Sequence, residues 1–395
     1  MDLKSGTNLD FSNTEIAFSY KSDKELKNLK WLFRLMNNGA LVNFGSLVTP
    51  LALKLRLPFV KSSIKKTIFK QFVGGENLLD TQSKIDLLNK YGTQTILDFG
   101  AESKTSEEEL DLVMNENIKA LEFAASNNSV PVISTKITGL ADNALLIKMQ
   151  TESALTDDEA NRKEKLLKRL DNICKRAHDL KVGIMIDAEE SWMQITMDKL
   201  VDDMMACYNK NAVIVYNTFQ MYRKDKLDFL KASHEKAMSN NYLLGAKLVR
   251  GAYMDKERNY ATENKIPDVI NPDKKSTDQM YNDGLEFCVE NYKTVASVCA
   301  SHNQKSNLFQ ANLIDQKGLD KKHPHFNFCQ LLGMSDNITF NLATAGFNVA
   351  KYLPYGPLDE VIPYLIRRAK ENSSVTGDMS RELSFIMSEI KRRGL

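Results

Sequence analysis

Over the first ninety residues apolar positions fall at helical spacing, and Ile85, Leu87, Leu88 and Tyr91 close the last such stretch before Gly92. After that the pattern changes. Short runs rich in β-branched and aromatic residues recur, each followed by a longer helical stretch. The runs cover 95–100, 132–137, 182–187, 213–220, 244–250, 295–301, 326–331 and 349–354. Ahead of one helical stretch, to about residue 180, Thr156-Asp157-Asp158-Glu159 has the spacing of a capping box. Strand and helix in alternation imply parallel strands joined by crossover helices. Eight such units fit a closed (β/α)8 TIM barrel better than an open sheet, so the expectation is an α/β fold, a barrel behind a helical N-terminal extension. The expected divisions are a helical arm over 1–92, the barrel over 93–374 and a helical tail over 375–395.

Composition changes this picture little. Of 395 residues 43% are hydrophobic and 26% charged, which suits a packed core and excludes a disordered or collagen-like chain. Lys and Arg number 53 against 51 Asp and Glu, and a net +2 gives no reason to expect nucleic acid as a partner. Five cysteines without a CxxC pair read as thiols in a reducing compartment, with no zinc site. No GxGxxG or Walker A sequence occurs, so a nucleotide cofactor is not held in the Rossmann manner. MDLKSGTNLD shows no apolar targeting segment and no presequence, which points to a cytoplasmic protein. No apolar run approaches the length of a membrane span. Residues 51–73 carry Lys54, Arg56, Lys61, Lys65, Lys66 and Lys70 with no acid, interleaved with apolar positions. A helix packing one face on the domain and a peripheral contact with anionic lipid both fit that stretch.

In a (β/α)8 barrel the chemistry sits at the C-terminal ends of the strands. There the runs carry Lys136, Asp187, Gln220, Lys247, Arg250, Ser301-His302-Asn303, Gln330 and Tyr352. Charges are rarely buried without partners, so so many polar strand ends suggest a site more than packing. The last helical stretch, 358–371, opens after Gly356-Pro357 with Asp359 and Glu360 in its first turn. Tyr364, Arg367, Arg368 and Glu371 fall on one face. That face fits either a solvated helix surface or a barrel mouth presenting two guanidiniums to an anion. His323 and His325 lack an adjacent acid or cysteine, so no metal is expected. Trp31 and Trp192 are expected to pack.

KLVRGAYMDKER (247–258), CASHN (299–303), QLLGM (330–334) and YLPYGPLDEVIPYLIRRAKENSS (352–374) resemble proline dehydrogenase. VISTKITG, IMIDAEES and NTFQMY extend the resemblance upstream, so it covers roughly 97–374. Within the family the chain is more similar to the monofunctional, mitochondrial-type branch than to the bifunctional bacterial enzymes. The resemblance implies a distorted (β/α)8 barrel with non-covalent FAD. It implies oxidation of L-proline to Δ1-pyrroline-5-carboxylate, electrons passed to membrane quinone, and a separate downstream pyrroline-5-carboxylate dehydrogenase.

Residue by residue, the resemblance implies that Lys136, Arg367 and Arg368 hold the substrate carboxylate. Asp187 would order that cluster. Tyr352 and Tyr364 would wall the proline ring, with Leu248 and Tyr253 completing the pocket. Glu102 would act as a gate by pairing with an arginine of the last helix. Ala188, Gln220, Val249, Arg250, Gly251, Ala252, Ser301, His302, Asn303 and Glu371 fall on FAD contacts. Gly251 would let backbone approach the cofactor closely. Lys247 stands beside the flavin ring where many bacterial members carry arginine, keeping the charge but losing the planar fork. On this resemblance Asp187, Lys247 and Tyr352 are the catalytic residues. Two alternatives stand beside it. Hydroxyproline dehydrogenase shares the fold, although the bulk of Tyr352 would crowd a ring hydroxyl. A Schiff-base lyase using Lys136 is a reading from a different class.

Overall fold

The computed structural model describes residues 9–55, 58–100, 104–373 and 378–395. Eight strands follow one another round a closed barrel, β1 to β8 in chain order. They are β1 Gln94–Phe99, β2 Val132–Lys136, β3 Gly183–Asp187, β4 Val215–Gln220, β5 Leu244–Val249, β6 Val295–Ala300, β7 Phe326–Leu331 and β8 Val349–Tyr355. Each of the eight expected runs overlaps one of them, with ends moved by two residues or fewer. Both faces of the strands are covered: every residue of β4 and β8 is buried, the polar Asn217, Thr218 and Gln220 included. Parallel registry sets Lys136 beside Asp187 and Lys247 beside Thr218.

Ala101–Cys329 forms one compact unit. Its crossover helices include Glu107–Ala125, Asp157–Leu180, Ser191–Tyr208, Lys226–Ser239, Lys274–Glu290 and Gln304–Gln316. The expected capping box is present, with Thr156 and Glu159 exchanging bonds between side chain and backbone. Trp192 packs against Tyr260 with the rings tilted by 32° and their centroids 4.3 Å apart. His323 and His325 are absorbed by packing: His323 lies against Tyr292 and Phe326, and the His325 ring bonds the Tyr292 carbonyl. Among the described residues no cluster is suited to a metal ion and no disulfide forms.

The second unit is Leu9–Gly100 with Gln330–Leu395. Here the helices Asp23–Met36 and Gly39–Lys54 join the last two, Leu358–Ser373 and Asp378–Arg392. Phe18, Leu26, Leu29, Phe33, Phe69 and Phe72 pack with Leu358, Val361, Ile362, Leu365, Ile386 and Ile390 in one core. The basic stretch 51–73 therefore sends Phe69, Phe72 and Val73 inward, which is the packing role allowed for it. Trp31 does not pack as expected; it is 54% exposed.

A buried polar knot ties this second unit together. Tyr20 donates to Asp336 at 2.5 Å, and Lys351 lies 2.8 Å from the same carboxylate. Glu382, on the Asp378–Arg392 helix, accepts from the backbone and hydroxyl of Ser335. Burial and the neighbouring Asp336 charge push the Glu382 carboxyl up to about 7 from an ordinary 4.5, against the opposing pull of Arg381 and Lys351. The folded chain thus holds this proton more tightly than the unfolded chain. The stabilisation is complete below pH 4.5 and is lost as pH rises through about 7, on the order of 3 kcal/mol in all. A Tm that falls between pH 5 and 8 in the parent, with a smaller fall in Glu382→Gln, is the expected result of scanning calorimetry. Equal slopes in the two proteins would rule this group out.

Candidate active site

The site begins with strand parity. Side chains two apart share a face, so Ser134 and Lys136 project together from β2, next to Asp187 of β3. Ser134 Oγ donates to Asp187 Oδ1 at 2.9 Å, and Lys136 Nζ lies 3.8 Å from Oδ2. From β5, Lys247 Nζ also donates to Asp187 Oδ1. The side chains of Lys136, Asp187 and Lys247 are only 10%, 16% and 6% exposed. One carboxylate thus meets two ammonium groups. Buried charges persist where they are paired, and two ammonium groups at neighbouring strand ends are chemistry suited to an anion.

A second layer orients the end of β4. Glu189 accepts from the Thr138 hydroxyl at 2.8 Å, its backbone N–H donates to Gln194 Oε1, and its carbonyl accepts from Gln220 Nε2 at 2.9 Å. Gln194 and Asn217 both donate to Asp198, whose other oxygen takes the buried Lys226 ammonium at 2.6 Å. The amide of Gln220 is fixed by this chain, yet its Oε1 is buried with no hydrogen-bond partner among the described residues. An orphaned acceptor of this kind fits a donor supplied by a ligand.

Arg250 follows β5 and is caged. Its Nε donates to Asp278 Oδ1 at 2.9 Å, Nη1 to Ser301 at 2.6 Å and Nη2 to Ser306 at 2.9 Å. The guanidinium lies 4.4 Å over the Tyr281 ring. Burial works to raise the Asp278 carboxyl, but hydrogen bonds from Lys274 and Arg250 outweigh it and hold Asp278 below the ordinary range. Ser301 Oγ also accepts from the Asn303 backbone, and the Asn303 side chain caps the Gln304–Gln316 helix. Arg250, Ser301 and Asn303 thus stand together at a helix N-terminus, an arrangement suited to phosphate.

Other expected residues fall in varied places. Gly251 adopts φ +134°, and a Cβ there would lie 2.5 Å from the Tyr222 ring. Glycine is therefore required by Tyr222, a reason the motif did not reveal. Leu248 lies on the outer face of β5, where its Cδ2 meets the Gly284 position on the Lys274–Glu290 helix. The structure does not bring its side chain to the lysine cluster. Tyr253 is buried beneath the Lys256 ammonium, Ala188, Val249 and His302 are half-buried, and Ala252 is exposed.

In the second unit, Lys351 of β8 is held outside the barrel by Asp336, so alternation turns Tyr352 to the inner face. On the Leu358–Ser373 helix, Tyr364 and Arg368 are buried and Arg367 is half-buried. The Arg368 guanidinium sits 5.4 Å over the Tyr364 ring. This face is not the solvated surface that was one of its two expectations. Glu371 lies on the same helix, its side chain undescribed, and Glu102 lies outside the described residues.

Sequence reasoning missed Ser134, Glu189, Gln194, Asp198 and Asp278. Ser134 was detectable from strand parity, two residues before Lys136. The others come from crossover helices or a strand-end loop, and only the fold brings them to the site.

Fold and site together define a (β/α)8 barrel with a cationic interior cluster and an anion-suited helix terminus beyond β6. The family model for proline dehydrogenase matches residues 81–381. The chain belongs to the proline dehydrogenase family. It is 33% identical over 378 residues to proline dehydrogenase 1, mitochondrial, of Dictyostelium discoideum, covering 84% of this chain and 65% of that protein. It is 30% identical to hydroxyproline dehydrogenase of Xenopus laevis, covering 98% of this chain and 90% of that one. Proline utilization A from Bdellovibrio bacteriovorus superposes with a TM-score of 0.74 at 20% identity, over 95% of this chain and 41% of that one, a likeness of fold.

Proposed function

We propose that the chain oxidises L-proline to Δ1-pyrroline-5-carboxylate with FAD and passes the electrons to quinone, from a cytoplasmic position peripheral to the membrane. A separate downstream dehydrogenase would consume the product. The observation that carries the reading is the Lys136–Asp187–Lys247 cluster inside a barrel of this family. Lys136 takes the substrate carboxylate, with Arg367 and Arg368 as its partners. Asp187 holds the two lysines in place, and Tyr352 and Tyr364 wall the ring. FAD supplies the hydride acceptor when bound. Gln220, Arg250, Ser301, His302 and Asn303 are the residues of the first unit that would hold it, and the orphaned Gln220 acceptor is consistent with that role. The positive charge of Lys247 favours a neighbour that gains electrons. No side chain is assigned as base: the amine loses its proton to solvent and reacts with its lone pair free. Positioning and charge are the protein's contribution. Against a Schiff-base lyase, the Lys136 side chain lies 3.8 Å from Asp187 in an ion pair that a covalent carbonyl adduct would break.

The coverage of hydroxyproline dehydrogenase favours a second reading, oxidation of hydroxyproline. The bulk of Tyr352 argues for proline. Steady-state turnover with a soluble dye should favour L-proline over trans-4-hydroxy-L-proline by at least about tenfold, on the order of 1.4 kcal/mol. A preference for hydroxyproline would reverse the assignment. Release of Arg250 from its cage should weaken the cofactor: Asp278→Asn is expected to raise the FAD dissociation constant about tenfold, a loss typical of one charge-assisted bond. Quenching of flavin fluorescence on titrating apoprotein measures it, and an unchanged constant would separate the cage from cofactor binding.

A further inference from the structure

We infer that the outer face of the Gly39–Lys54 helix, with the turn around Phe59, is a docking surface for an anionic lipid bilayer. The inference deepens the peripheral placement proposed above and rests on it.

The sequence sets the surface apart. No charged residue stands between Arg34 and Lys54. No acid stands between Glu25 and Glu76, a stretch holding nine cations. The fold then turns apolar residues outward. On the Gly39–Lys54 helix Leu41, Phe44, Leu47 and Val48 share one face, and Phe44 and Leu47 are 67% and 77% exposed. Val42 is buried on the other side. Phe59 is 83% exposed and adopts φ +66°, a conformation that bulky residues enter at a cost. Trp31 and Leu35 extend the exposed apolar surface on the preceding helix, which packs against this one. Large apolar side chains exposed together mark an interaction surface.

The charge pattern selects the partner. Lys27 and Arg34 are exposed on the preceding helix, and Lys66 and Lys70 are exposed in the segment that follows. Lys61 and Lys65 are met by Asp359 and Glu76, acids that lie outside the stretch. An uncharged apolar strip with cations before and after it along the chain, and an exposed tryptophan on the helix packed against it, suits the interfacial zone of an anionic membrane. No described helix is long and apolar enough to cross a bilayer, so the contact is with its surface. The same helix packs against Leu358–Ser373, which carries Arg367 and Arg368. The lipid would thus sit one helix away from residues assigned to the substrate.

The test is co-sedimentation of the full holoprotein with vesicles of phosphatidylcholine alone or with 30% phosphatidylglycerol, about an order-of-magnitude choice of anionic content. The parent should sediment with the anionic vesicles and less with the neutral ones, and salt should weaken binding. Phe44→Glu with Leu47→Glu should lower partitioning at least about tenfold, and Lys27→Glu with Lys66→Glu should remove the preference for anionic lipid. Proline-dependent dye reduction is followed in the same samples. Turnover intact without vesicle binding by the parent overturns the surface alone. So does equal binding by the Phe44/Leu47 variant. A parent dimer in light scattering that this variant abolishes, without lipid binding, makes the face a contact between copies and also overturns it. Vesicle binding lost in the variant, by a protein that does not oxidise proline, supports the surface and overturns the enzyme reading.

Discussion

Lys136→Met is expected to raise the KM for L-proline at least about 30-fold, the low end of what truncating one partner of a buried charge pair costs. The side chain is 10% exposed and projects from β2 beside Asp187. Its removal leaves Asp187 with the Lys247 ammonium, so the interior keeps a balanced pair and the fold should hold. The loss should therefore fall on substrate binding, with Tm nearly unchanged. A saturation curve like that of the parent would remove Lys136 from the carboxylate site. Arg368→Met should act in the same direction while also losing its contact with the Tyr364 ring.

Asp187→Asn should behave in the opposite way. It leaves two ammonium groups in a mostly buried place without their shared carboxylate, and breaking such a pair costs about 3–5 kcal/mol. For a chain of this size that is a fall in Tm of roughly 4–6 °C. Adding Lys247→Met should recover most of it, since the second change removes one of the two ammonium groups that lost the carboxylate. Calorimetry on the single and double variants measures the coupling. An Asn variant as stable as the parent would mean that the lysines find equivalent partners elsewhere.

The barrel was legible in the sequence because its strands are short, apolar and separated by helical stretches. Polar ends such as Lys136 and Asp187 then stood out against apolar runs. The orientation of the last helix was not legible. Its Tyr364–Arg367–Arg368 face satisfied solvent and site equally well on periodicity, and only tertiary packing buried Arg368. Leu248 shows a different limit: the resemblance placed it in the substrate pocket with Tyr253, while strand alternation sends Lys247 inward and Leu248 outward. Asp278 and Asp198 were invisible because a crossover helix reaches the strand ends only after folding. The apolar surface on Gly39–Lys54 was also missed, since a helical pattern does not say which apolar residues find cover.

The central claim is that this barrel holds a flavin that L-proline reduces. The visible spectrum of the purified protein, supplied with FAD and kept free of oxygen, tests it most directly. The account predicts flavin bands that bleach on addition of L-proline, with Lys136→Met needing far more proline for the same bleaching. Flavin bands that persist at saturating L-proline, or a protein that takes up no flavin, would contradict it.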